Sequence, residues 1–296
     1  MSSVVLLLFL ITVVGVATAM RGRGRPGALD TSGEWPQPLG RRARTTARWR
    51  LAGLGVGISV GIVAAQLDVL GRGLMLAVPL CALCVLVGVV IGELRITAPR
   101  GPVRSAGLEV RRIRDYLPRR LTRVVAAATV LLVLVLGMTT AAGSPDDLGR
   151  AGRTLARQCS ALVGTAVGPW PGSFYTAPLA TVVLAGLVLA GVALRRVVHR
   201  PRSGEDPSAD DALRRQAAES VVAGVGLLVA VPLAGVSFFA AQALSNVDCA
   251  PVSWRVAAGA LGLLVPALAV LAAWCIAALT SPTEGRVPRS TSPAAR

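Results

Sequence analysis

Seven apolar stretches with uncharged cores divide the chain, and segments that carry arginine, aspartate or glutamate separate them. Their lengths of about 17–27 residues suit the roughly 30 Å of hydrocarbon that a helix crosses at about 1.5 Å per residue. The pattern predicts an all-α fold, a polytopic membrane helix bundle of seven transmembrane helices. We place them near residues 3–20, 51–70, 73–92, 124–143, 177–194, 220–244 and 254–280.

The segments between the stretches alternate in arginine content. Residues 21–50, 93–123, 195–219 and the tail at 281–296 hold 26 of the 31 basic residues, and the opposite connections hold five. Cytoplasmic loops of membrane proteins are enriched in positive charge, so the alternation predicts the N-terminus outside and the C-terminus inside. We expect a multi-pass protein of the cell membrane, with a long external loop at 144–176 and a disordered cytoplasmic tail.

The first stretch has two interpretations. Ala17-Thr18-Ala19 has the small-x-small form of a signal-peptide cleavage site. Signal peptides carry positive charge before their apolar run, whereas residues 1–20 have no basic side chain and RGRGR follows directly. This reversed order favours a retained anchor, the first of the seven spans, with its N-terminus outside.

The composition excludes several kinds of chemistry. All the basic residues are arginine, and without lysine there is no Walker A motif of the usual form. The single histidine, His199, cannot form a zinc-protease motif or a bis-histidine haem site. No acidic residue lies in the core of a span, since Asp68 is at a span end, and this argues against a proton-coupled pump. We expect no cofactor and no metal. We also expect no nucleic acid as a partner, because the net charge of +16 is explained by the arginines that orient the protein in the membrane.

Small residues recur every four positions in several spans, which leaves helix faces without bulky side chains. Such faces let another helix approach closely, either within one bundle or at a dimer seam. They are Gly53, Gly57 and Gly61 in the second span, Gly226, Ala230 and Ala234 in the sixth, and Ala258 and Gly262 in the seventh. We expect intramolecular packing, and the oligomeric state stays open.

The basic loop 93–123 contains EVRRIRDYLPRRLTR, in which apolar residues recur at spacings of three and four. This indicates an amphipathic segment on the inner leaflet, bent or broken at Pro118. Anionic lipid is the expected partner of its arginines, and a soluble protein partner docking at the cytoplasmic loops is the alternative. The lipid-facing arginines are Arg111, Arg112, Arg114 and Arg119.

The connection before the sixth span contains signals for a helix. Ser208 precedes Asp211 by three residues, as in a capping box, so the sixth span should begin early, near residue 209. Asp210 and Asp211 stand four residues before Arg214 and Arg215, the spacing of helical ion pairs.

The external loop carries apolar residues at helical spacing, namely Leu148, Leu155, Cys159 and Leu162. We therefore expect a short helix there, resting on the outer surface of the membrane.

Five cysteines raise two separate questions. Cys159 and Cys249 are the two in external connections, an oxidising location, so we expect a disulfide between them. Cys81 and Cys84 form a CxxC motif within the third span, the arrangement of a redox pair. That pair lies roughly 12 Å into the span at the helical rise, where apolar surroundings make thiols inert. Packing on one helix face is the simpler interpretation.

Three segments, VIGELR, EVRRIRDYLPRRL and DDALRRQAAESV, resemble those of polytopic integral membrane proteins of uncharacterised function in high-GC Gram-positive bacteria. The resemblance implies membrane location and topology only. The leading hypothesis is a non-enzymatic permease-like or scaffold component that acts with a partner. The alternatives are a membrane thiol oxidoreductase that uses Cys81 and Cys84, and a facilitator for a small neutral or lipophilic solute.

Overall fold

Six long α-helices dominate the structure, a computed structural model that describes residues 37–67, 70–95, 113–199 and 207–280. Each helix has a segment long and apolar enough to cross a membrane, so the protein is a membrane helix bundle. The predicted first span, 3–20, lies outside the described residues. The helices are α1 (Gln37–Leu67), α2 (Arg72–Leu94), α3 (Arg119–Ala142), α4 (Ser173–His199), α5 (Pro207–Ser245) and α6 (Val252–Thr280).

These six helices lie where the apolar pattern predicts the last six spans, but all six are longer than their spans, α1 and α5 by the most. Helix α5 begins at Pro207, next to the capping signal at Ser208. Helix α1 begins at Gln37, within the segment 21–50 that we expected to be a loop. Hydropathy marks only the part of a helix that lies in lipid, so a polar helical extension gives no apolar signal.

Helix α5 is the central helix of the bundle and contacts α2, α3, α4 and α6. Of the residues in its most apolar window, 72% are buried, against 17–33% in the other five helices. Leu228, Val229 and Leu233 are 0% exposed at its middle. Because its neighbours surround it, α5 shows almost no amphipathic pattern in its sequence.

Small residues let the neighbouring helices approach α5. A Cβ atom on Gly226 would collide with the thiol of Cys275 on α6 and would lie 3.2 Å from Val125 on α3. Ala230 is 0% exposed, and Ala234 is also buried. The small face of α5 thus packs inside the bundle, which is how van der Waals contact holds helices together in lipid.

Helices α1 and α2 form an antiparallel pair with glycine at their contact. Gly71, at φ +81, lies directly before α2. A Cβ atom on Gly53 would lie 2.6 Å from the carbonyl oxygen of Cys84, and one on Gly61 would lie 3.0 Å from that of Ala77. The absence of side chains at these positions therefore allows the two backbones to touch.

The connection between α3 and α4 corrects the prediction of a surface helix. It contains an antiparallel hairpin of β1 (Leu155–Gln158) and β2 (Gly164–Val167), with Leu155 opposite Val167. Leu155 is 2% exposed whereas Leu162 is 95% exposed, so they do not share a buried face. Gly149 and Gly152 have φ near +70, a conformation that ends helices.

We predict that Gly53→Val destabilises the protein by about 1–3 kcal/mol, the usual cost of overpacking. The valine side chain would press on backbone atoms of α2, so the helix itself and not a flexible side chain would have to shift. Gly55→Val is the matched control, because a Cβ atom there meets nothing within 4 Å. Thermal unfolding in detergent compares the two variants. Equal melting temperatures would contradict a close α1–α2 contact at Gly53.

Candidate functional site

Buried charges concentrate at the end of the bundle where α5 begins. Arg214 is 0% exposed and Asp210, one turn before it, is 2% exposed. The Nε and Nη2 atoms of Arg214 both lie 2.8 Å from Oδ2 of Asp210. The ion pair thus has the i,i+4 spacing that the sequence indicates. Ion pairs withdrawn from water need such close geometry to offset the loss of hydration.

Arg214 also contacts the end of a neighbouring helix. Its Nη1 atom donates hydrogen bonds to the carbonyl oxygens of Val197, at 3.0 Å, and Val198, at 2.8 Å. These carbonyls lie in the last turn of α4, where no further turn supplies an N–H donor. The guanidinium therefore caps α4 and meets the negative end of its dipole, while Asp210 balances its charge.

Two more hydrogen bonds attach other parts of the chain to the same end. The hydroxyl of Tyr116, beside the 3₁₀ turn Ile113–Asp115, donates to Oδ1 of Asp211 at 3.2 Å. The Nη1 atom of Arg50 on α1 donates to Oγ of Ser220 at 3.1 Å. We call Arg50, Tyr116, Asp210, Asp211, Arg214 and Ser220 the polar cluster. It joins α1, α4 and the segment before α3 to α5.

The opposite end of the bundle is held by a disulfide. Cys159, after β1, is bonded to Cys249 in the α5–α6 connection, with the Cα atoms 5.7 Å apart. This is the pair for which the sequence predicts a bond. The guanidinium of Arg157 lies 4.9 Å from the ring centroid of Trp254. The hairpin is therefore attached to the end of α5 and the start of α6, and we call this the disulfide end.

Aspartate and arginine hold the turn before the hairpin. Oδ2 of Asp146 accepts hydrogen bonds from Nε of Arg150 at 2.7 Å and from Nη1 of Arg153 at 2.8 Å. Burial by itself raises the pKa of the Asp146 carboxyl. The hydrogen bonds and charge of Arg150, together with the backbone N–H of Leu148, outweigh it, so the pKa lies below its ordinary value. The carboxylate stays ionised at neutral pH, where it orders the turn.

The CxxC motif lies in the body of α2. Cys81 and Cys84 are both free thiols, and at about 1.5 Å per residue Cys81 lies about 14 Å from the start of α2 at Arg72. A Cβ atom on Gly57 would lie 3.0 Å from Sγ of Cys81, so this thiol faces α1. The structure therefore places Cys81 at a helix contact and not beside the disulfide.

The arginines predicted to meet lipid are divided between two elements. Arg114 lies in the 3₁₀ turn and Arg119 is the first residue of α3, and both are exposed. Pro118 separates them, in agreement with the expected break. Arg111 and Arg112 lie outside the described residues. In the part of the chain that the structure describes, no three His, Cys, Asp or Glu side chains are grouped to hold a metal ion.

Sequence reasoning missed the capping of α4 by Arg214. The i,i+4 spacing indicated its ion pair with Asp210, but this spacing does not relate Arg214 to the carbonyls of Val197 and Val198. One signal was available: the apolar helix before it ends without a capping glycine, so its last carbonyls need another partner. No protein-family model, curated protein sequence or solved structure matches the chain.

We predict that Arg214→Gln destabilises the protein by about 3–5 kcal/mol, the usual cost of breaking a buried ion pair. The change leaves the Asp210 carboxylate buried without its cation and the end of α4 without its cap. Arg215→Gln is the control, because Arg215 is the exposed neighbour on the same helix. Thermal unfolding compares them, and a loss no larger than that of Arg215→Gln would contradict the capping role.

We also predict that the double variant Cys81→Ala, Cys84→Ala retains a fully oxidised Cys159–Cys249 bond. Neither thiol of α2 lies beside that disulfide, so thiol exchange has no direct route. Alkylation of free thiols before and after reduction, followed by mass spectrometry, counts the bonded cysteines. Reduced Cys159 and Cys249 in the variant would favour the thiol oxidoreductase hypothesis.

Proposed function

We propose that the protein is a non-enzymatic scaffold component of the cell membrane that binds a partner protein at its arginine-rich end. The observation that carries the proposal is the closed apolar middle of the bundle. Leu228, Val229 and Leu233 are 0% exposed there, on the helix that contacts α2, α3, α4 and α6. A path for a hydrophilic solute needs polar groups or water at this depth, so this packing supports a scaffold over a permease or facilitator.

The positions of the buried polar residues support the same view. Glu93, Asp210, Arg214 and Ser220 lie near one end of the described bundle, Thr139 and Thr176 lie near the other, and Ser237 lies about 12 Å before the end of α5. Arg214 bonds the end of α4, and Thr176 bonds Thr140 of α3. Their positions suit a role in fixing the helices relative to one another, which is what a scaffold requires.

The lengths of α1 and α5 support a platform for a partner. At about 1.5 Å per residue, α5 with its 39 residues is about 58 Å long, and α1 with 31 residues is about 46 Å long. Both exceed the roughly 30 Å of hydrocarbon. Their polar portions, before Leu51 and before Ser220, therefore extend beyond the lipid at the same end. The sequence of α1 there includes RRARTTARWR, so an acidic surface is the expected partner chemistry.

The proposal places this arginine-rich end in the cytoplasm and the disulfide end outside. The arginine distribution supports this orientation through the charge bias of cytoplasmic loops. The Cys159–Cys249 bond supports it independently, because disulfides persist in oxidising compartments outside the cytosol. The N-terminus outside, with residues 3–20 as a seventh span, belongs to the same proposal.

We predict that a photo-crosslinking amino acid at Arg48 captures a discrete protein partner in native membranes. Arg48 is exposed on the extension of α1. The yield should fall in 1 M salt, where the Debye length is about 3 Å and attraction between exposed charges is screened. The matched control is the same group at Leu263, which is 78% exposed on the apolar surface of α6 and should give no protein adduct.

Two results would contradict the scaffold proposal. One is an Arg48 position that crosslinks no more protein than the Leu263 position does. The other is solute flux: vesicles that contain the purified protein should release glycerol no faster than empty vesicles, and faster release would favour the facilitator.

A further inference from the structure

A groove of about 410 Å³ runs between α5 and α6 on the lateral surface of the bundle. Phe238, Gln242 and Ser245 lie along its α5 side, and Gly262 and Pro266 lie along its α6 side. Its volume falls in the range of about 300–1,000 Å³ that is usual for ligand sites. Ser245 ends α5, so the groove begins at the disulfide end and extends toward the middle of the membrane.

The groove changes from polar to apolar along its length. Gln242 and Ser245 provide an amide and a hydroxyl near the disulfide end. Phe238, Val265 and Pro266 provide apolar surface farther along the helices, at a depth of about 10–20 Å by the helical rise. This order matches that of a membrane lipid, whose polar groups lie at the interface and whose acyl chains lie below.

Gly262 keeps the groove open. A Cβ atom built on Gly262 would meet nothing within 4 Å, whereas one on Gly226 would collide with Cys275. No described helix therefore packs against Gly262, in contrast to Gly226. Pro266 has no N–H to donate to the carbonyl oxygen of Gly262, four residues earlier, so this carbonyl lacks its usual partner in the helix.

A positive charge lies above the groove. Arg255 is three, seven and eleven residues before Ala258, Gly262 and Pro266, a spacing that puts all four on one face of α6. Its Nη2 atom lies 3.5 Å from the carbonyl oxygen of Ala250, at the level of the α5–α6 connection. An exposed guanidinium at this level is placed to meet the phosphate of a lipid headgroup.

We propose that this groove binds an acyl chain of an anionic phospholipid from the leaflet at the disulfide end, with the lipid phosphate at Arg255. No described residue covers the side of the groove that faces away from the bundle, where the bilayer is the surrounding solvent. In this arrangement the acyl chain contacts Phe238, Val265 and Pro266. The ester region of the lipid lies at Gln242 and Ser245, and the charge of Arg255 favours an anionic headgroup. The site is separate from the polar cluster and does not depend on the scaffold proposal.

The test is native mass spectrometry of the purified full-length protein, titrated separately with phosphatidylglycerol and with phosphatidylcholine. We expect more bound phosphatidylglycerol than phosphatidylcholine. Gly262→Leu should reduce lipid binding several-fold, because a Cβ atom there meets no described atom within 4 Å and the rest of the leucine side chain would occupy the groove. Gly55→Leu is the matched control, since a Cβ atom there also meets nothing within 4 Å but lies on α1. Arg255→Gln should abolish the preference for phosphatidylglycerol.

Each other outcome overturns the proposal. Equal lipid binding by the Gly262→Leu and Gly55→Leu variants would show that the groove is not the site. An unchanged preference in Arg255→Gln would remove the phosphate contact. Conversion of a dimer to a monomer by Gly262→Leu, without loss of lipid, would identify a second copy of this chain as the occupant. Matching circular dichroism of the two leucine variants checks that both are folded.

Discussion

The close packing of α5 against its neighbours is the interaction on which the rest of the bundle depends. Between helices in a bilayer there is little hydrophobic driving force, so van der Waals contact has to hold them together. Residues such as Gly226 and Ala230 bring α3 and α6 near enough for that contact. Because α5 contacts α2, α3, α4 and α6, a larger side chain on its small face would push more than one neighbouring helix away from it.

Both ends of the bundle are then held by polar or covalent links that involve α5. Arg214 attaches α4 to the beginning of α5, and the Cys159–Cys249 bond attaches the hairpin to the connection after its end. The middle of α5 is almost wholly apolar, and the buried Asp210–Arg214 pair lies at a helix terminus, where unpaired carbonyls favour a cation. A rigid bundle with polar ends and an apolar middle is consistent with a scaffold.

Glycine serves two opposite purposes in these helices. Gly53 and Gly226 lie where another helix comes close, and Gly262 lies where no described part of the chain does. Glycine thus allows a close helix contact at Gly53 and Gly226, and it leaves the groove open at Gly262. The lateral groove and the packed core therefore follow from the same physical rule about available space.

The sequence by itself determined the six described spans, the Cys159–Cys249 pair and the early start of α5, because hydropathy, compartment and capping are local or topological properties. Tertiary structure decided the rest. Leu155 is buried through hairpin pairing with β2, which helical spacing could not reveal. Arg214 reaches α4, and Gly262 faces a groove while Gly226 faces a helix. Such contacts join residues far apart in the chain, so no local pattern records them.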